Sequence, residues 1–203
     1  MKKAKQWICL ALAVVAVIGI AVGTLVLHEQ QALAAKVLRL HVRANSDTEE
    51  DQMLKLQVRD AVLLQVQTVT ADCATSQEAI CKIADSLPAL ARTASETLQN
   101  LGKLNTVRVS LCREVFPTRD YDTFSLPAGN YTSLRVDIGE AAGHNWWCVI
   151  FPTLCQSATE EDLAQTAAAG GLTEEEIDLL TERSPRVQVK FRVLEWLAGL
   201  RSE

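Results

Sequence analysis

Cys148 is the residue whose type best suits it to act as a nucleophile, because His144 lies four residues before it as a candidate base. In an extended strand, however, these two residues lie about 13 Å apart, which is too far for a hydrogen bond. Cys148 also follows Trp146 and Trp147 in an apolar run, where desolvation raises the pKa of a thiol. The sequence therefore favours a buried structural Cys148 over a catalytic one.

A second thiol, Cys155, follows Cys148 after Pro152, which can turn the chain between them. Two alternatives stay open. Either Cys148 and Cys155 form a disulfide, which would add about 2 to 3 kcal/mol to the stability of the fold for so short a loop, or both are buried as separate thiols. Five of the six cysteines follow Cys9, so at least one of the five has no partner within the chain. No C-x-x-C motif with histidines at ligand spacing is present, and we expect no metal site.

Polar and aromatic side chains mark two predicted strands as candidate binding surfaces. Arg39, His41 and Arg43 occupy alternate positions, which would place them on one strand face. Such a face normally meets water, and the alternative is contact with an acidic partner or with membrane headgroups. The neighbours Trp146 and Trp147 point to opposite faces. The apolar run around them favours a core covered on both sides, but a Trp on an open face would be an interface anchor.

The sequence carries no motif of a common enzyme class: there is no G-x-S-x-G, no H-E-x-x-H and no P-loop. An acidic cluster at 47–51 is accounted for by the start of a helix and lacks the spacing of an EF-hand. The net charge of −5 argues against nucleic-acid binding. We therefore expect no catalytic set, no cofactor, no nucleic-acid partner and no small-molecule substrate, a profile that fits a binding or signalling module.

The elements that would position these residues follow from hydrophobic periodicity. Alternation predicts strands over 37–43, 106–115, 131–138 and 187–193, and the apolar run 146–151 predicts a central strand. Helical spacing predicts helices over 48–68 and 76–101, two short helices within 158–183, and another over 194–200. The composition is that of a globular domain, 48% hydrophobic and 22% charged. We predict an α+β fold, a single domain with a mostly antiparallel or mixed sheet packed by helices.

Local signals set the ends of these elements. Pro88 is expected to kink the second helix or divide it in two, and Gly102 to end it. Residues 116–130 are predicted to form a proline-containing loop. Two pairs have the spacing of a capping box: Ser46 with Glu49, and Thr173 with Glu176.

The stretch from Trp7 to Leu27 is uncharged and as a helix would span about 31 Å, roughly a bilayer core. Lysines precede it, so the positive-inside rule predicts that the residues after it lie across the membrane. The length favours an uncleaved anchor, whereas the A-x-A pattern from Ala32 to Ala34 favours cleavage. We divide the chain into a signal or transmembrane anchor at 1–27, a linker at 28–35 and an exported domain at 36–203.

Four segments resemble the stage II sporulation protein R family of endospore-forming bacteria. Their order and spacing match the family pattern over about residues 36–198. The chain departs from that pattern at Thr153, where the family has a second proline, and at Ala141-Ala142, where it has a glycine-rich turn. The segments are LRLHVRANSDTEED from Leu38 to Asp51, Phe116-Pro117-Thr118 with Leu126 to Tyr131, NWWCVIFPTLC from Asn145 to Cys155, and Val189-Lys190-Phe191 with Leu194-Glu195.

The resemblance implies an intercellular signal and not an enzyme. Members are made in the forespore and exported into the space between the forespore and mother-cell membranes. There they activate a membrane-embedded aspartic protease of the mother cell, which removes the pro-sequence of sigma E. The chain would be anchored through residues 7–27 or released. Its candidate contacts with the protease combine polar strand positions with aromatic anchors: Arg39, His41, Arg43, Asn45, Asp47, Trp146 and Trp147.

Two other functions stay open from the residues alone. One is an exported hydrolase of cell-wall or peptide substrates that uses Cys148 or an Asp/His pair. The other is a structural envelope protein, held in the membrane by residues 7–27, that takes no part in signalling.

Overall fold

A computed structural model describes residues 28–157 and 159–181, together with eight positions between 7 and 24. The predicted strand over 187–193, the helix after it, Cys9 and most of the run from Trp7 to Leu27 lie outside the described residues. No helix within the described part is both long enough and apolar enough to cross a membrane. In chain order the elements are α1 (residues 28–36), β1 (Leu38–Arg43), α2 (Glu49–Thr70), α3 (Ser76–Asn100), β2 (Val107–Phe116), β3 (Arg119–Asp120), β4 (Ser125–Leu126), β5 (Gly129–Ile138), β6 (Asn145–Phe151), a 3₁₀ turn (Leu154–Gln156), α4 (Glu160–Ala169) and α5 (Glu174–Leu180).

The main sheet is mixed and has the strand order β2-β5-β1-β6. β1 runs parallel to β5, with His41 opposite Arg135, and antiparallel to β6, with His41 opposite Trp147. β2 is antiparallel to β5. The predicted α+β fold with a mixed sheet packed by helices is therefore confirmed.

One face of this sheet forms the larger hydrophobic core under α2 and α3. Because side chains alternate along a strand, Leu38, Leu40 and Val42 of β1 all point to this face and are fully buried. Val58 of α2 and Ile83 of α3 are fully buried against them. We call this the helix-side core.

Among the described residues, a second core covers part of the other face of the sheet. Leu33 of α1, Phe116, Tyr131, Leu163 of α4 and Leu180 of α5 are buried there in this second core. The short strands β3 and β4 pair with each other and contribute Leu126. Residues 28–35, assigned to a linker, are thus helical and contribute to this second core.

The structure corrects three predictions about regular elements. Among the described strands, β6 lies at the edge of the main sheet and not at its centre; its residues from Cys148 to Phe151 are buried on both faces because the two cores meet around it. Residues 116–130 contain β3 and β4 instead of forming only a loop. α3 is continuous through Pro88, so the predicted division into two helices is wrong, whereas the kink stays a prediction. Pro88 and Ala84 are both exposed, so water can solvate the Ala84 carbonyl that proline leaves without a donor.

The helix ends follow the sequence signals in part. Thr173 and Glu176 form the predicted capping box at the start of α5. The box predicted for Ser46 and Glu49 is wrong, because Thr48 caps α2 and Ser46 donates instead to Asp51, at 2.5 Å. At the end of α3, Gly102 has a φ of +73° and its N–H donates to the Gln99 carbonyl, which is the predicted glycine stop.

The loop between β1 and α2 interlocks with the loop between β5 and β6. The N–H of Gly143 donates to the Ala44 carbonyl at 3.0 Å, and that of Ala142 to the Asn45 carbonyl at 3.2 Å. The approach is so close that a Cβ atom on Gly143 would lie 2.2 Å from the backbone oxygen of Ser46. Only glycine fits at this position without moving the facing loop.

Replacing Gly143 with alanine is expected to lower the free energy of unfolding by about 1 to 3 kcal/mol, because the added methyl group overlaps backbone that has no flexible end to move aside. Thermal unfolding followed by circular dichroism measures the effect. Ala142→Ser, at the exposed neighbouring position, is the matched control and should change stability by less than about 0.5 kcal/mol. Equal stabilities would show that the two loops are not held together in solution.

Candidate functional site

The face of the sheet opposite α2 and α3 gathers most of the candidate residues. Arg39, His41 and Arg43 of β1 point to it, and the register places Trp147 of β6 beside His41. Within the described part of the chain, the second core covers one part of this face. The part around Arg43, whose side chain is 31% exposed, is here called the open part, and His41, which is 12% exposed, lies at its boundary. Trp146 points to the helix side, and Asn45 and Asp47 lie in the loop after β1.

Arg39 is fully buried, so the prediction that the polar face of β1 meets water is wrong at this residue. Its guanidinium carbon lies 4.0 Å from the centre of the Phe116 ring and 5.2 Å from that of Tyr131. Its Nη2 donates to the Tyr121 hydroxyl at 2.7 Å, while Nε and Nη1 have no hydrogen-bond partner among the residues that the structure describes. Aromatic faces thus take the place of water around this cation, and Arg39 offers no surface for a partner.

The open part of the face carries a hydrogen-bonded polar network. Arg43 donates to Asp137 at 2.6 Å, and Arg135 to the other oxygen of Asp137 at 3.1 Å. His41 lies between two further strands, with Nδ1 3.2 Å from Glu114 Oε2 and Nε2 2.9 Å from Asn145 Oδ1. We define the polar network as these six residues: His41, Arg43, Glu114, Arg135, Asp137 and Asn145.

The charges of the polar network compensate one another. Burial alone would raise the pKa of Asp137, but the hydrogen bond and charge of Arg43, helped by Arg135, lower it on balance. The pKa of Glu114 is likewise lowered by His41, Ser133 and Arg135 against the opposing effect of burial. The hydrogen bond to Asp137 raises the pKa of Arg43 in turn. The predicted basic stripe is therefore paired internally with acidic groups from β2 and β5.

Trp147 is half-buried at the boundary between the second core and the polar network. The Arg119 guanidinium lies 3.8 Å from the centre of a Trp147 ring, and the His41 ring centre is 5.7 Å away. Phe116 meets Trp147 edge-on at 6.4 Å. These contacts fix the Trp147 ring while leaving part of it accessible, which suits an aromatic anchor for a partner.

Trp146 lies on the helix side, where 38% of it is exposed. The Arg59 guanidinium of α2 lies 4.2 Å from its ring centre. The two residues line a groove of about 260 Å³ between α2 and β6, together with Cys148 and Cys155. The two tryptophans therefore occupy opposite faces, as neighbours in a strand must, and neither is fully enclosed.

Asn45 and Asp47 hold the interlocked loops together. The Asn45 amide donates to Asp51 at 2.8 Å, and its carbonyl accepts from the Glu140 N–H at 3.1 Å. Asp47 accepts from the His144 N–H at 2.6 Å and also contacts the His144 ring. These two hydrogen bonds lower the pKa of Asp47. Both residues thus stabilise the fold at the edge of the polar network.

Cys148 and Cys155 are free thiols, and the Cys148 S–H donates to the Val149 carbonyl at 3.6 Å. Cys148 is buried, and its pKa is raised first by its interaction with Cys155 and second by burial. His144 contacts Asp47 and not Cys148, so the pairing that a cysteine hydrolase requires is not formed at Cys148. Whether the two thiols bridge stays a prediction.

Sequence reasoning missed four of the six residues of the polar network, as well as the aromatic groups around Arg39. The alternation of β5 placed Arg135 on a polar face, which was an available signal. Glu114 and Asp137 could be assigned only once the parallel pairing of β1 with β5 was known. Arg119 and Tyr121 lie in a predicted loop, and no pattern identified them.

The fold and site define a small α+β domain whose best-formed surface feature is a paired polar network beside an anchored tryptophan. Among the described residues, no group of three His, Cys, Asp or Glu side chains could hold a metal ion. This architecture is that of a domain with a binding surface.

The chain belongs to the stage II sporulation protein R family. The model of that family matches residues 34–161, which include the whole main sheet. A protein of Bacillus subtilis (strain 168) named stage II sporulation protein R is 33% identical over 185 residues, covering 81% of each chain. No solved structure matches the chain.

Arg39→Lys is expected to lower the free energy of unfolding by about 1 to 3 kcal/mol. A lysine ammonium lacks the planar group that stacks on Phe116 while donating to Tyr121. Urea unfolding measures the effect. Arg108→Lys, at an exposed position of the same sheet, is the matched control and should be close to neutral. Equal losses in both variants would contradict a special role for the buried guanidinium.

Stability is expected to fall as the pH drops below about 4, because the folded state holds Asp137 and Glu114 ionised to a lower pH than the unfolded chain does. Acid therefore protonates the unfolded chain first and favours it. In Asp137→Asn the amide cannot titrate, so the free energy of unfolding should depend less steeply on pH between about 2 and 4. Urea unfolding over that range measures the slope.

A double-mutant cycle with Arg43→Gln controls this experiment. Both substitutions remove the same ion pair, so the double variant should lose less stability than the sum of the single variants. An acid slope in Asp137→Asn as steep as in the unmodified chain would show that Asp137 contributes nothing to the acid sensitivity.

Proposed function

We propose that the chain is an exported sporulation signal that activates a membrane-embedded aspartic protease of the mother cell, and that this protease then processes the sigma E precursor. Family membership supports a role in sporulation signalling. The finer role is the one that the family resemblance implies. On this proposal residues 1–27 serve as the export signal or the membrane anchor.

One geometric observation carries the proposal. The two most distinctive family segments, far apart in sequence, lie side by side as β1 and β6, with His41 opposite Trp147 and Arg43 opposite Asn145. The segments thereby build one continuous surface instead of two separate features. A surface assembled from both supports recognition of a partner protein.

The chemistry of this surface indicates how it would bind. Arg43 is partly exposed, with 31% of its side chain accessible, and Trp147 presents part of its ring. Since the network charges are already paired, we expect shape, aromatic contact and directed hydrogen bonds to contribute more than net charge. Of the predicted contacts, His41, Arg43 and Trp147 lie on this surface, whereas Asn45 and Asp47 act by shaping the adjacent loops. Trp146 lies on the opposite face beside the groove, and its contact with a partner stays a separate prediction.

Activation requires that the chain bind the active state of the protease more tightly than the inactive state. If the protease works as a dimer, a rigid domain that contacts both subunits would favour that dimer. The rings around Trp147 and the hydrogen bonds around His41 hold the surface in one arrangement before binding, which reduces the entropy lost on association.

Reconstitution in a non-sporulating host tests the proposal: this chain, the protease and the sigma E precursor are co-expressed, and processing is read on a gel. Processing should require this chain. Trp147→Ala should reduce it about tenfold or more, as expected for loss of an aromatic anchor.

Leu104→Ala is the matched control, because Leu104 is 93% exposed in the loop between α3 and β2 and lies outside the proposed surface. It should leave processing unchanged. Full processing with a folded and exported Trp147→Ala variant would remove Trp147 from the surface. Absence of processing with the unmodified chain, once its export and folding are verified, would reject the activator role.

A further inference from the structure

Cys155 has an environment that differs from those of the other described cysteines. It is half-buried where the helix-side core meets the second core, and it lines the groove between α2 and β6. The Val149 N–H donates to its sulfur at 3.0 Å. The Cys148 sulfur lines the same groove, and its S–H donates to the Val149 carbonyl at 3.6 Å. A backbone N–H directed at the Cys155 sulfur favours its thiolate.

The buried cation Arg39 completes this environment. Arg39 lies opposite Val149 in the sheet register, and its charge acts on Cys155. Among the described residues no carboxylate pairs with Arg39. Burial raises the pKa of Tyr121 to about 12, so this hydroxyl stays neutral beside the guanidinium. Cys155 is a group on which the Arg39 charge acts and which can itself carry a negative charge.

The two thiols have opposite tendencies. The interaction with Cys148, the Val149 N–H and the Arg39 charge lower the pKa of Cys155 despite its burial. The pKa of Cys148 is raised by its interaction with Cys155 and by burial. Such a division, with one thiolate-forming residue and one buried partner, is typical of exchange-active dithiols.

We propose that Cys148 and Cys155 form an exchange-active dithiol whose attacking group is Cys155 and whose substrate is a disulfide that enters the groove between α2 and β6. This site is separate from the polar network and does not rest on the proposed protease activation.

The reaction balances in two exchange steps. The Cys155 thiolate attacks one sulfur of the incoming disulfide R–S–S–R, so a mixed disulfide forms and one R–S⁻ leaves. Cys148 then loses its proton and attacks the Cys155 sulfur, which releases the second R–S⁻ and closes the Cys148–Cys155 bond. The protein loses two electrons and two protons, and the substrate becomes two R–SH.

Glutathione disulfide is the probe, applied to the full-length chain and to single cysteine variants, with peptide mapping by mass spectrometry. Cys148→Ser should hold one glutathione on Cys155, because the second step is blocked. The unmodified chain should instead gain the internal disulfide. In Cys155→Ser, the buried Cys148 should stay unmodified over the same time.

Cys112 is the internal reference. It is also half-buried, but burial and the neighbouring Glu114 raise its pKa. Since the thiolate fraction falls about tenfold for each pH unit below the pKa, Cys155 should react at least about tenfold faster than Cys112 at pH 6. Both rates can be measured in the unmodified chain, so the comparison does not depend on whether a variant folds. Iodoacetamide applied to the unmodified chain should likewise modify Cys155 faster than Cys112.

Two results would overturn the proposal. One is a Cys155 that reacts no faster than Cys112 at pH 6 in the folded, unmodified chain. The other is modification of Cys148 in Cys155→Ser at the rate seen for Cys155 in Cys148→Ser, which would mean that Cys155 is not the attacking group.

Discussion

The arrangement of the sheet depends on one buried charge, the guanidinium of Arg39. A cation removed from water without a carboxylate is costly unless other groups replace its hydration. Here Phe116 and Tyr131 present ring faces to it, and Tyr121 accepts one hydrogen bond. These aromatic residues come from β2, β5 and the segment before β4. The Arg39 side chain of β1 therefore contacts three parts of the chain that are distant in sequence.

The same contacts explain why the sheet face is divided into a covered and an open part. Around Arg39 the aromatic rings form the base on which α1, α4 and α5 pack. Two residues further along β1, His41 is 12% exposed and still contacts the Phe116 and Trp147 rings, and from there the face continues as hydrogen-bonded polar groups. The proposed binding surface is therefore the part of the face that the second core does not cover. The packed side chains next to it hold its residues in place.

Local patterns in the sequence predicted most of the elements but few of the contacts between them. The alternation of β1, β2 and β5 and the helical spacing of α2 and α3 are properties of adjacent residues, and these predictions are confirmed. The neighbours of β1 are not local: no pattern in its residues shows that Arg43 meets Asp137 or that His41 meets Trp147. The edge position of β6 was missed for the same reason, since an apolar run reports burial and not the number of neighbouring strands. Arg39 was assigned to a surface because its type is polar, although its true environment is set by rings elsewhere in the chain.

The burial of the Arg39 cation and the lowered pKa of Cys155 are each unusual, and each helps to explain the other. Arg39 is a buried cation that pairs with no carboxylate of the described residues, and Cys155 is a half-buried thiol whose pKa is lowered although burial alone would raise it. A negative charge on Cys155 would reduce the cost of burying Arg39, and the charge of Arg39 would reduce the cost of ionising Cys155. The Val149 N–H, on the edge strand between them, adds a hydrogen bond to that same sulfur. The family segment that contains Cys148 and Cys155 thus contributes Trp147 to the open surface and, two residues further along the same strand, a donor to the thiol. The edge strand β6 thereby joins the proposed partner surface to the dithiol through a single stretch of backbone.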